Sequence, residues 1–221
     1  MQQVNLIYKI KIFLIFFFLQ GILIAGNVQE NRENRLKEHH RVTEVHGVKP
    51  ENVIKASNGN IYIKNARVYT GSRESPDGKV SVKTDSSTRK VVIKNVKIHS
   101  RNNNAYSSDS SNAVLSIETS SRTKVVIKDS DVKSHNVNLH SESREKNVCA
   151  GALCIQSDED SNILVDNVKV TTDSTDVSIN SHTNEGRMCA GALCIQTEGS
   201  EVNVMDSTIT SYGNNEFEVS N

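Results

Sequence analysis

A ten-residue rule recurs five times between residues 61 and 211, and no other feature of the chain limits its fold so tightly. The copies run from Ile61 to Thr70, Val91 to Ser100, Val125 to Ser134, Ile163 to Thr172 and Val202 to Ser211. Each reads aliphatic, any, aliphatic, any, Asn or Asp, any, any, aliphatic, any, Ser or Thr, with no gap. Apolar residues at alternate positions predict a strand with one buried face. The first aliphatic positions are 30, 34, 38 and 39 residues apart, which fits a fixed kernel joined by loops of variable length. Periods of this size mark chains built from stacked supersecondary units.

A second strand precedes each copy: Ile54 to Ala56, Val80 to Val82, Leu115 to Ile117, Leu153 to Ile155 and Leu193 to Ile195. The later copies add a third, Val137 to Leu139 and Val177 to Ile179. Strands this short cannot bury their inner faces alone, but stacking encloses one continuous narrow core. Asn65, Asn95, Asp129, Asn167 and Asp206 recur at one corner. That column predicts a ladder in which each side chain satisfies the turn of its neighbour.

With those five residues at one corner, residues 52 to 211 resemble the right-handed parallel β-helix proteins, the architecture of pectate-lyase-like enzymes, tailspikes and many bacterial surface adhesins. The resemblance implies an all-β solenoid of about five coils. It implies no particular activity, because the superfamily holds lyases, hydrolases, epimerases and proteins without catalysis.

Composition supports the all-β reading. Only 36% of the 221 residues are hydrophobic, with no Trp and two Pro. Val and Ile dominate over Leu, which argues against a helical bundle. Alternation of the apolar residues argues against disorder. The 26 basic and 26 acidic side chains cancel, and there is neither a basic domain nor an aromatic platform for nucleic acid. The zero total conceals a gradient. Residues 27 to 134 carry 20 Lys and Arg against 12 Asp and Glu, whereas residues 135 to 221 carry 4 against 14. In a stack this becomes opposite charge at opposite ends, which favours head-to-tail self-assembly, or simply keeps both ends soluble.

Lys9 and Lys11 precede an apolar run from Ile12 to Ala25 that Gln20 and Gly21 interrupt. It reads as a secretory signal peptide, residues 1 to 26. Residues 27 to 51 form a polar lead-in or cap, and residues 212 to 221 an acidic tail. The expected location is secreted or cell-surface.

The four cysteines lie in an eight-residue box that occurs twice, Cys149 to Gln156 and Cys189 to Gln196. If its spacing equals one coil, Cys149 lies over Cys189 and Cys154 over Cys194, about 4.8 Å apart and within disulfide reach. Links between adjacent coils would close loops of about 40 residues, though four cysteines allow three connectivities. Zinc is disfavoured because the second Cys of each box sits on a strand rather than a tight knuckle. Leu153 and Ile155 point inward, so Cys154 and Cys194 should point outward.

No outward row groups carboxylates for proton transfer. One row is Tyr62, Val92, Val126, Leu164 and Asn203, and the next is Lys64, Lys94, Lys128, Asp166 and Met205. Asp158 and Asp160 in one turn, with Glu198 in the matching turn, form a weak calcium candidate; no other cofactor is expected. His135, His140 and His182 share no register, since His140 aligns with Asn180. The expected function is a non-catalytic structural or adhesive role toward an extracellular glycan, a surface protein or itself. The alternative is a small polysaccharide-acting enzyme.

Overall fold

The computed structural model describes residues 43–107, 111–143, 147–181, 187–213 and 215–219. The apolar segment read as a signal peptide and most of the lead-in lie outside the described residues. The described part is all-β, with one 3-10 turn at Pro50–Asn52 and no α-helix.

Two sheets carry the fold. The first holds β1 (Glu44–His46), β5 (Val80–Lys83), β8 (Ser111–Thr119), β10 (Asn147–Ser157) and β13 (Arg187–Gln196), hydrogen-bonded in that order. The second has a main path of β2 (Val53–Lys55), β3 (Asn60–Lys64), β6 (Lys90–Lys94), β9 (Lys124–Ser143), β11 (Asn162–Asp173) and β14 (Glu201–Met205). Its flank is built from β4 (Arg67–Tyr69), β7 (Lys97–Ser107), β12 (Asp176–Ser181), β15 (Thr208–Ser211) and β16 (Asn215–Val219).

Pairing within the repeats is parallel and follows the ten-residue rule. Ile61, Val91, Val125, Ile163 and Val202 are ladder neighbours in turn. The positions two residues on, Ile63, Ile93, Ile127, Val165 and Val204, match likewise. In the first four copies these side chains meet Val80, Val82, Leu115, Ile117, Leu153 and Ile155 of the first sheet in one buried cluster, whereas Val202 and Val204 of the last copy are exposed. A second cluster joins Val137, Leu139, Val177 and Ile179 to Val148 and Ala150.

The predicted corner is left-handed backbone at all five positions. Asn65, Asn95, Asp129, Asn167 and Asp206 have φ of 56°, 54°, 51°, 53° and 47°. Asn and Asp tolerate this region better than other residues with a Cβ. Asn95 Nδ2 donates to Asn65 Oδ1 at 2.7 Å, and Asn167 Nδ2 to Asp129 Oδ1 at 2.9 Å. A second left-handed column, Asn102, Asn136 and Ser174, was not visible in the ten-residue rule. There Asn136 Nδ2 donates to Asn102 Oδ1 at 2.8 Å.

The structure differs from expectation at both ends. The segment expected as a first parallel strand, Ile54 to Ala56, belongs to β2, which pairs antiparallel with β3 through a tight turn at Ala56–Gly59. The antiparallel strand β1 takes the place beside β5 instead. Val48 is buried beneath these strands. Residues 215–219, placed in an acidic tail by sequence, form β16 in parallel with β12. His140 lies opposite Ser178 rather than Asn180, because the spacing of 38 residues set by Val132 and Val170 continues to Leu139 and Val177.

Candidate functional site

The site grows from a bend that β8, β10 and β13 share. Before it, Val148 and Ala150 face the second apolar cluster; after it, Ala152, Leu153 and Ile155 face the first. Ladder pairing of β10 with its neighbours includes Gly151 and Leu153 but skips Ala152, which marks the turning point. Gly151 is required there, because a Cβ at this position would lie 2.0 Å from the carbonyl oxygen of Gly191. The bend leaves a re-entrant corner on the outer side, and the cysteines fill it.

Cys149 bonds Cys154, and Cys189 bonds Cys194, each across five residues of sequence. Cα atoms of the first pair are 6.1 Å apart, where an extended strand would place them about 17 Å apart. The stacking expected from sequence is present, since Cys149 is opposite Cys189 and Cys154 opposite Cys194. Links between adjacent repeats do not form, because the bend brings the two cysteines of one box together. Cys154 and Cys194 do turn away from the main cluster as expected, but they are buried, not exposed. With Cys149 and Ala113 they make a small cluster of their own.

One repeat earlier the ladder carries other residues at these positions. Ser111 occupies the ladder position of Cys149 and Ser116 that of Cys154, with Ser81 next below Ser116. Here the corner opens into a groove of about 270 Å³ lined by Lys79, Ser81, Asn112, Ser116 and Glu118, with Glu74 and Asp77 along its margin. Lys79 Nζ donates to Asn112 Oδ1 at 2.5 Å, and Asn112 Nδ2 donates to the His140 carbonyl at 2.7 Å. Burial lowers the Lys79 pKa from its ordinary value, against the opposing pull of Asp77. Glu118 pairs with Lys83 at 3.3 Å. Asp77 accepts from the backbone N–H of Lys79 at 3.2 Å. Glu118 and Asp77 are thus held by neighbours, and the groove presents a mixture of hydrogen-bond donors and acceptors.

Sequence reasoning missed this groove. No local spacing signals it, because Lys79 and Asn112 come from different repeats. The calcium candidates are not brought together. Asp158, Asp160 and Glu198 are exposed, and among the described residues the cluster of possible metal ligands is Cys149, Cys154 and Cys194, whose sulfurs already form disulfides. Asp166 pairs with Lys128 at 2.8 Å.

No protein family, curated protein or solved structure matches the chain. No helix among the described residues is long and apolar enough to cross a membrane.

Proposed function

We propose that this chain is a secreted or cell-surface right-handed parallel β-helix of about five coils, acting as a non-catalytic structural or adhesive module. The observation that carries the reading is the self-pairing of polar side chains between equivalent positions of neighbouring repeats. Asn95 bonds Asn65, Asn138 bonds Asn104, Asn167 bonds Asp129 and Gln156 bonds Gln196. Side chains held by the equivalent position of the next repeat stiffen a regular surface and are not free to follow a reacting group. Two disulfides fit an oxidising, extracytoplasmic setting, as does the leading apolar segment. An extracellular glycan or a surface protein is the partner class for the groove around Lys79 and Asn112, which presents polar groups on a rigid frame.

The test is a panel of soluble and immobilised polysaccharides presented to the full chain. Binding without release of reducing ends, weakened by Lys79→Ala and Asn112→Ala at unchanged melting temperature, supports the reading. Steady product release that is abolished by Glu118→Gln or Asp77→Asn overturns it in favour of a polysaccharide-acting enzyme, since those are carboxylates of the groove.

A further inference from the structure

The large apolar side chains that stay exposed are not scattered. Among the described residues they are Ile54, Tyr69, Val202, Val204, Met205, Ile209 and Tyr212. The first two belong to the first repeat and the other five to the last. Val202, Val204 and Ile209 occupy inward positions, yet they are 39%, 43% and 44% exposed, whereas their ladder neighbours Ile163, Val165 and Val170 are fully buried. The last repeat therefore shows a cross-section of the core to solvent.

Strand edges follow the same division. The first sheet runs from β1 to β13, and the main path of the second from β2 to β14. Among the described residues each thus has an unpaired edge at each end of the stack. β1 is antiparallel to β5 and β2 is antiparallel to β3, while β13 and β14 keep the direction of the parallel strands. A second copy advanced along the stack would lay its β1 beside β13 and its β2 beside β14. Both junctions would then be antiparallel, as the caps already are within one copy.

Charge decides between the possible arrangements. Residues 27 to 134 carry a net +8 and residues 135 to 221 a net −10. Two last repeats face to face would oppose Glu198, Glu201 and Asp206 of one copy to the same residues of the other. First repeat against last avoids this, because an end carrying Lys49, Lys55, Lys64 and Arg67 against Glu44 and Glu51 is set next to the acidic one. We infer that copies of this chain associate head to tail, the β1–β2 end of one seated on the β13–β14–β15 end of the next. Such a contact is heterologous and extends to open filaments unless rotation closes it. It covers the exposed strand edges that a soluble protein otherwise has to protect.

This inference rests on the solenoid reading proposed above, and the experiment separates the two. Ile54→Lys damages one end and Val204→Lys the other; Met205→Lys replaces the latter if Val204→Lys lowers the melting temperature. Sedimentation of the full chain at low salt and high protein concentration should show a ladder of species beyond dimer. Each variant alone should associate at least tenfold more weakly. Mixed, the two should form a dimer that grows no further, because one retains a sound head and the other a sound tail. A wild-type monomer throughout, a mixture that stays monomeric, or an Ile54→Lys variant that still dimerises alone would overturn head-to-tail association. The solenoid reading is checked separately by oxidative cross-linking of Lys94→Cys/Lys128→Cys, whose positions are parallel ladder neighbours. Failure of that cross-link removes the fold reading itself.

Discussion

Removing one disulfide by Cys149→Ala/Cys154→Ala tests the pairing within each box and the energetics that follow from it. The bridge closes a loop of six residues, for which chain entropy gives about 2.2 kcal/mol, against about 3.9 kcal/mol for a 40-residue link between repeats. Cys149 and Cys154 are fully buried, so loss of two sulfur atoms from a packed cluster adds about 1–2 kcal/mol. The expected loss is therefore about 3–4 kcal/mol, read from urea unfolding of the variant against the oxidised wild type. Thiol titration of the denatured variant should find nothing, because Cys189 and Cys194 remain bonded to each other. Tryptic mapping without reduction gives a second reading. Cleavage after Lys146, Lys169 and Arg187 places one box in each of two peptides, and each should carry its own bridge. Two free thiols in the variant, or two wild-type peptides joined until reduced, would refute the pairing and the bend that explains it.

Other outcomes follow from the same geometry. Ser111→Cys/Ser116→Cys, at the ladder positions of the first cysteine pair, should form a third bridge that raises stability by about 2 kcal/mol over its reduced form; thiols persisting after mild oxidation would count against the shared bend. Gly151→Ala should cost about 3 kcal/mol, because its Cβ meets the Gly191 backbone, and more than Gly191→Ala, which has open space but a φ of +149° and a cost of about 1–2 kcal/mol; equal unfolding midpoints would deny the close approach. Asn167→Ala should lose about 2 kcal/mol, half from left-handed backbone and half from the bond to Asp129, and Asn167→Gly should recover the backbone half in the same assay. Burial lowers the His99 pKa below 6.5 despite Asp131 at 3.6 Å, so the unfolded chain takes up this proton more readily. Its contribution is whole above pH 6.5 and is lost as pH falls below it. Stability measured across that range should decline less steeply in His99→Gln.

Sequence legibility tracked the regularity of the backbone. Alternating aliphatics and the Asn or Asp corner specified which residues lie side by side, because parallel neighbours of like sequence share a register. The bend at Gly151 and Ala152 was hidden, since Leu153 and Ile155 keep their alternation on both sides of the question and only the close contact with Gly191 reveals why a glycine stands there. For the same reason the four cysteines are legible as bridge-forming while their connectivity is not. The direction of the caps is not legible, because β1 and β2 are three residues long, too short for a pattern to show it. The groove at Lys79 depends on a turn, Ser75 to Lys79, meeting Asn112 from the next repeat, and no local spacing encodes that encounter.

The two cysteine boxes are identical over eight residues, sit in one register, and stand 40 positions apart. Unequal crossing-over between the stretches of gene that encode them would delete or insert a unit of that length. The rejoined chain would keep its bend, its glycine contact and a complete bridge in every surviving box, since each bridge begins and ends inside its own box. Pairing between boxes would have made the same event leave orphaned thiols. Closing each bridge locally therefore lets such a gene change its repeat number in a single generation without first passing through a misfolded intermediate.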